Sequence, residues 1–289
     1  MIKFLILFTL FFYFSEKFCE KQTDGFKISN IHSSLIPRPK WALPPLSEEQ
    51  KNALRLLLAQ KFYYLGSGGQ CYAFVSEDQK IVIKFFKHHL RRVPWLIDRL
   101  PLPEFLDQMR IKQSKKRESK LLRDFNSYKI AYETLKDETG LLFVHLNKTQ
   151  NRNQELVIVD KIGIEHRLQL DELEFVVQKK AELAYPYIDH LMKEKQLPKA
   201  KEAIDQICAL IIARCKKGVF DEDPRIHRNL GFVNGKAQLI DVGRLKRDAT
   251  RASPAIFKED LQKITARMQG WLEQKHPELA SYLEERLHD

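Results

Sequence analysis

The sequence predicts an α+β protein in two parts, a five-stranded antiparallel sheet carrying one long helix and then a mainly helical half. Three observations predict it. Short apolar and aromatic runs separated by Gly-rich or polar turns crowd residues 62–86, the signature of an antiparallel meander. A single apolar stripe through Leu121, Leu122, Phe125, Tyr128, Tyr132 and Leu135 then marks a long amphipathic helix. Beyond about residue 163, apolar residues return mainly at helical spacing. With 289 residues and 44% hydrophobic content, the chain can bury one sizeable core or two smaller ones flanking a cleft.

The N-terminus carries Lys3 and then an apolar, aromatic stretch from Phe4 to Phe14 interrupted by Thr9. That is the length of an export-signal core and too short to cross a bilayer, so residues 1–20 are expected to be a signal peptide, or an anchor associated with the membrane. Ser15-Glu16-Lys17-Phe18-Cys19-Glu20 offers no small-x-small cleavage pattern, which keeps the anchor reading open. Residues 21–46, with Pro37, Pro39, Pro44 and Pro45 around Trp41, read as an extended linker whose tryptophan packs on the folded body. Ser47 and Gln50 form a capping box that opens a helix and the first folded part, 47–162.

Phe62–Leu65, Cys71–Val75 and Ile81–Phe86 are the first three expected strands, joined by Gly66-Ser67-Gly68-Gly69 and by Glu77-Asp78-Gln79-Lys80. An irregular Pro-containing segment is expected from His88 to about Gln113, and the long helix from about Lys115 to Lys136, ended by Gly140. Leu141–Leu146 and Leu156–Val159 complete the five strands around a polar hairpin, Asn147–Gln154. In the second part, 163–289, Ile204, Ile207, Cys208, Ile211, Ile212 and Cys215 share a helix face ended by Lys216-Lys217-Gly218. Gly231–Val233 and Ala237–Ile240 form a hairpin through Asn234-Gly235, and Leu261, Ile264, Met268, Trp271 and Leu272 mark another helix. Pro277 opens the last one.

The formal charge of +11, from 49 basic and 38 acidic residues, fits a protein that handles phosphates. Without a recognition motif it does not point to nucleic acid, and the run Lys112–Arg117 reads as a solvated helix face. Cys19, Cys71, Cys208 and Cys215 make no zinc spacing, and Cys208 and Cys215 lie two turns apart on one helix, beyond disulfide reach. Buried thiols are expected.

Several scattered groups carry chemistry. Gly66, Gly68 and Gly69 between two strands let a backbone turn approach phosphates and present N–H groups to them. Lys84 sits in an apolar strand on the face of Val82 and Phe86, where a lysine needs an anionic partner. Glu118, on the inward stripe of the long helix, is the first candidate and Asp124 the second. Asn229 and Asp241 bracket the hairpin and offer oxygen ligands of the kind Mg2+ prefers.

Together, Gly66 to Gly69, Lys84, Asp223-Pro-Arg-Ile-His-Arg-Asn229 and Asp241-Val242-Gly243 resemble the protein-kinase-like superfamily over residues 60–245. Tyr64-Leu65-Gly66, Leu141–Asn147 and Asp223–Arg244 also look like an uncharacterised kinase-like family of chlamydia-like bacteria. The resemblance implies a bilobal fold with a reduced helical C-lobe, and a site for ATP and Mg2+ in which Lys84 binds phosphates, Glu118 pairs with Lys84, and Asn229 and Asp241 hold the metal.

Two positions depart from the pattern. Cys71 replaces the third glycine, and Pro224 stands where the acceptor base belongs, which leaves Asp223 or Asp221 for that role. Only 48 residues follow Asp241, with no long peptide-binding subdomain evident, so the phosphate acceptor is a protein or a small molecule, and nucleotidylation would use the same ligands. Lys246, Arg247, Arg251 and Lys258 form either a basic rim or a wet surface. The implied function is an atypical ATP-dependent phosphotransferase, exported or membrane-associated; the alternative is a pseudokinase that binds partners without transfer.

Overall fold

The computed structural model of the chain describes residues 2–91, 103–150 and 154–288. Most of the irregular segment expected after His88, and the tip of the expected Asn147–Gln154 hairpin, lie outside the described residues. In chain order, α1 (Ile2–Thr23), α2 (Ile28–Ile31) and α3 (Glu48–Leu58) precede β1 (Lys61–Ser67), β2 (Cys71–Ser76) and β3 (Ile81–Phe86). Next come α4 (Glu104–Thr134), α5 (Lys136–Thr139), β4 (Leu141–His145), β5 (Glu155–Val159), β6 (Glu165–Gln169), β7 (Phe175–Lys179) and β8 (Glu182–Leu183). The remainder is α6 (Ala184–Lys193), α7 (Leu197–Lys216), β9 (Val219–Asp221), α8 (Ile226–Asn229), β10 (Leu230–Val233), β11 (Lys236–Leu239), β12 (Leu245–Arg247), α9 (Pro254–Lys275) and α10 (Pro277–His288). The fold is α+β, and the chain divides into two compact units, Met1–Leu121 with His145–Val177, and Leu122–Val144 with Gln178–Asp289.

In the first unit, counting β4 and β7 whose ends belong to it, the sheet runs β4-β7-β3-β2-β1-β5-β6. The meander β1-β2-β3 is antiparallel, as its turns dictate, with Gln79 at φ 60° closing the second hairpin. The expected five antiparallel strands are here seven, and β5 pairs parallel to β1 rather than joining β4. Two strands escaped the pattern. β6 reads Glu-His-Arg-Leu-Gln with only Leu168 buried, as an edge strand does, and β7 is buried along Phe175–Gln178, so neither shows clean alternation.

The segment 21–46, expected as a linker, contributes Phe26, Ile31 and Trp41 to the core at 3%, 0% and 5% exposure. Phe26 meets Tyr72 and Phe74 at 5.2 Å and His166 at 5.8 Å, and Gly25 O accepts bonds from Tyr72 Oη at 2.6 Å and Asn30 Nδ2 at 2.8 Å. Asp24 ties the same stretch to Tyr64 Oη at 2.9 Å and Lys161 Nζ at 2.7 Å. Ser47 and Gln50 close the expected capping box on α3. The apolar N-terminal stretch lies within α1, where Phe8, Phe11, Phe12, Phe14 and Phe18 are exposed; among the described residues no helix is long and apolar enough to cross a membrane.

In the second unit β10, flanked by β11 and β8, and the pair β12-β9 pack with the helices. Asn234 and Gly235 take φ 50° and 79°, the left-handed pair that a two-residue hairpin needs. Gly231 is required for a different reason: a Cβ there would stand 2.5 Å from Glu182 O, so only glycine lets β8 lie against β10. α7 buries Ile204, Ile207, Leu210, Ile211 and Cys215 and ends at Gly218 with φ 66°, as its sequence signals. Of the thiols, Cys71 and Cys215 are buried, Cys208 is half-buried and Cys19 is exposed.

Candidate phosphoryl-transfer site

The first unit presents Lys84 through strand register. Gly66 lies opposite Ala73 and Ala73 opposite Lys84, so these residues form one cross-strand row on one face of β1-β2-β3. Two small residues beside a half-buried lysine leave a shallow, flat strip. The adjoining turn is held by Gly68 N–H donating to Cys71 O at 2.9 Å. None of Gly66, Gly68 or Gly69 has a left-handed φ. A Cβ on Gly66 or Gly69 would meet nothing within 4 Å, and one on Gly68 only Cys71 O at 3.7 Å. The fold itself therefore does not need these glycines, and the bare backbone stands open on its outer side.

Lys87 was not singled out by the sequence. Its ammonium donates to Ser67 Oγ at 2.6 Å and lies 4.5 Å from the Tyr72 ring centre, bracing the glycine turn from the opposite face; burial pulls its pKa below the usual lysine range. Glu118 requires a correction. It is 56% exposed, 3.6 Å from Arg38, and not on a buried stripe. α4 begins at Glu104, eleven residues before the expected start, and its first seventeen residues are mostly solvent-facing; inward burial starts only at Leu121. Asp124 is the buried carboxylate of this helix, 3.2 Å from Arg123.

The second unit gathers the remaining residues. Ile240 N–H donates to Asn229 O at 2.8 Å, extending the β10-β11 pairing by one step, so Asn229 and Asp241 emerge at the same end of that hairpin. Asn229, 4% exposed, donates its amide Nδ2 to Asp223 O at 2.5 Å, and Asp241 Oδ1 accepts the Gly243 N–H at 3.1 Å. Ser127 of α4, fully buried, fixes the loop after Asp241: its hydroxyl donates to Val242 O and accepts Leu245 N–H at 2.5 Å. No sequence pattern marks this serine. β12 then pairs with β9, setting Leu245 opposite Asp221.

Asp221 and Asp223 have opposite electrostatic surroundings. Burial pushes the Asp221 carboxyl up to about 6, opposed by Arg214 at 3.4 Å and by the Asp223 N–H at 2.9 Å, and helped by the charges of Asp241 and Asp223. Asp223, by contrast, is gripped by both arms of Arg225, at 2.5 and 2.6 Å, which hold it below the usual carboxylate range. His227 packs near Tyr185, which stacks on Trp271 at 4.1 Å; burial and the charges of Arg267, Arg228 and Arg225 hold its pKa down. Of the basic residues expected as a rim, Lys246 pairs with Glu222, Arg247 with Glu133, and Arg251 with Asp248 and Asp260.

The donor set fits Mg2+. With its Nδ2 committed, Asn229 has one side-chain oxygen to offer, and Asp241 adds a carboxylate. Among the described residues no group of three or more His, Cys, Asp or Glu side chains forms a metal cage. Mg2+ keeps several waters and phosphate oxygens and needs only one or two protein ligands, whereas zinc needs three or four.

No protein-family model and no curated protein matches the sequence. Solved structures with similar regions include the kinase domain of ROP18 in complex with AMP-PNP and sucrose, at 15% identity over 64% of this chain and 51% of that one, TM-score 0.35. Rv3197 of Mycobacterium tuberculosis in complex with erythromycin aligns at 12% identity over 72% and 54%, TM-score 0.35. The complex of APH(2")-IIa with streptomycin and ATP aligns at 16% identity over 82% and 86%, TM-score 0.27. The chain spans about half the length of the ROP18 kinase-domain chain. At TM-scores of this size, the functional reading stands on this chain's own residues.

Proposed function

We propose that the protein is an atypical ATP- and Mg2+-dependent phosphotransferase. The observation that carries the reading is the convergence of Asn229 and Asp241 at one end of the β10-β11 hairpin, with Asp221 and Asp223 in the adjoining segment. Asn229 and Asp241 hold Mg2+, which supplies charge neutralisation to a transferring phosphoryl group. Lys84 and the backbone of Gly66, Gly68 and Gly69 contact nucleotide phosphates, on a turn whose glycines serve no packing need of their own. Asp223, or the buried Asp221 whose pKa of about 6 suits a base near neutrality, receives the acceptor proton. Glu118 drops out of the nucleotide set because of its exposure and its pairing with Arg38.

Calorimetric titration of ATP with and without Mg2+ into the full chain tests this. Wild type binds only with Mg2+, Lys84→Ala and Asp241→Ala each lose at least about tenfold in affinity, and Asp223→Asn or Asp221→Asn loses turnover while still binding. No Mg2+-dependent binding in wild type refutes the proposal. One observation favours a pseudokinase instead: the two-pronged grip of Arg225 on Asp223. Nucleotide bound but never consumed, with neither phosphate nor nucleotidyl product released, would decide for that reading. The exposed phenylalanines of α1 support export or a membrane-surface role, which N-terminal sequencing of the mature protein tests.

A further inference from the structure

The arginines around the 223–229 loop differ from the other arginines of the second unit. Arg123, Arg214, Arg247, Arg251 and Arg286 are each matched by a carboxylate. Arg228, Arg244 and Arg267 are exposed and form no ion pair among the described residues. Their placement is set by the fold. α8 carries Arg228 three residues after Arg225; Arg244 O accepts the Glu222 N–H at 3.1 Å, which seats Arg244 beside the same segment; and Arg267 lies one turn before Trp271 on α9, the helix packed against α8. Arg225 already displays the chemistry of such a group, holding a carboxylate through two parallel N–H donors. Beside it the Tyr185–Trp271 stack and the edge of His227, whose Nδ1 is buried without a partner, form a half-buried aromatic wall.

We propose that this loop is an acceptor subsite for a small anionic molecule, in which Arg225, Arg228 and Arg244 hold a phosphate or carboxylate of the acceptor and Arg225 reaches it by releasing Asp223. The proposal rests on the phosphotransferase reading and names the class of its substrate. It reconciles that reading with the blocked Asp223: the anion that brings the acceptor also draws off the guanidinium that covers the carboxylate. The charges of Arg228 and Arg244 already act on Asp223, so an anion drawn to the loop meets these two guanidiniums beside the one that Arg225 would free.

Inorganic phosphate is the probe. The full chain is first saturated with Mg2+ and AMP-PNP, so that the nucleotide's own phosphate positions are filled, and phosphate is then titrated by calorimetry. Wild type binds one phosphate; Arg228→Gln with Arg244→Gln weakens it at least about tenfold while AMP-PNP affinity stays within twofold; Lys115→Gln with Lys116→Gln, on the exposed part of α4, leaves it unchanged. Absence of phosphate binding in wild type, or equal binding in the loop variant, overturns the subsite. Failure of AMP-PNP to bind wild type overturns the phosphotransferase reading instead; the phosphate titration then still decides whether these arginines form an anion site.

Discussion

Replacing Ser127 with alanine tests whether α4 holds in place the loop after Asp241, the proposed Mg2+ ligand. The Ser127 hydroxyl is the shared partner of Val242 O and Leu245 N–H, and both of those residues are 1% exposed. Alanine fits the space but leaves one buried carbonyl and one buried N–H without a partner. Each such group costs about 1–3 kcal/mol, so the variant loses about 2–6 kcal/mol of stability. Urea unfolding reads this directly: with a slope of roughly 2–3 kcal/mol per molar, the midpoint falls by about 1–3 M. Because the loosened segment begins at Asp241, Mg2+-dependent ATP affinity falls as well, while any affinity for ATP without Mg2+ does not change. A stability loss under about 0.5 kcal/mol, or metal-dependent affinity equal to wild type, refutes the reasoning.

Phe26→Ala removes a ring packed among Tyr72, Phe74 and His166 and costs about 3–4 kcal/mol, whereas Leu56→Ala at a 76% exposed position stays within about 0.5; equal midpoints in urea would show that the segment before Ser47 lies outside the folded body. The raised Asp221 pKa makes the folded chain bind the proton that the unfolded chain gives up between pH 3.8 and about 6. This carboxyl therefore lowers stability as pH rises through that window, by roughly 3 kcal/mol in all, and Asp221→Asn removes the slope; a slope that persists in the variant assigns it to another group. Glu118→Ala leaves Mg2+-dependent ATP affinity within about twofold, and a tenfold loss would restore it to the nucleotide site.

Local signals in this chain were legible where one residue type has one physical use. Ser47 with Gln50, Asn234-Gly235 and Lys216-Lys217-Gly218 each fix a backbone geometry that few other residues allow, and each is found as its sequence implies. The meander of β1 to β3 was equally plain, because its turns and its alternation agree. Phe26 and Ile31 were not, since isolated apolar residues in a polar, Pro-containing stretch carry no period, and Phe26 finds its place only against Tyr72, Phe74 and His166. α4 extends well beyond its apolar stripe, because its first half is nearly unburied and has no such stripe to announce it. In the candidate site, side-chain chemistry named Lys84, Asn229, Asp221, Asp223 and Asp241, but Ser127, Arg225 and Lys87 act through partners brought together only by folding.

The anchoring of Asp24, Gly25 and Phe26 marks where the N-terminal segment ceases to be expendable to the fold. Asp24 is bonded to Tyr64 and Lys161, Gly25 O to Tyr72 and Asn30, and Phe26 is sealed into the sheet, whereas α1 just before them leaves Phe8, Phe11, Phe12, Phe14 and Phe18 in solvent. A peptidase can trim this chain anywhere up to Thr23 and spare every one of those contacts. A cut only three residues further on would release a body already missing a piece of its own core, so packing at a single turn limits how much of the N-terminus the folded body can lose.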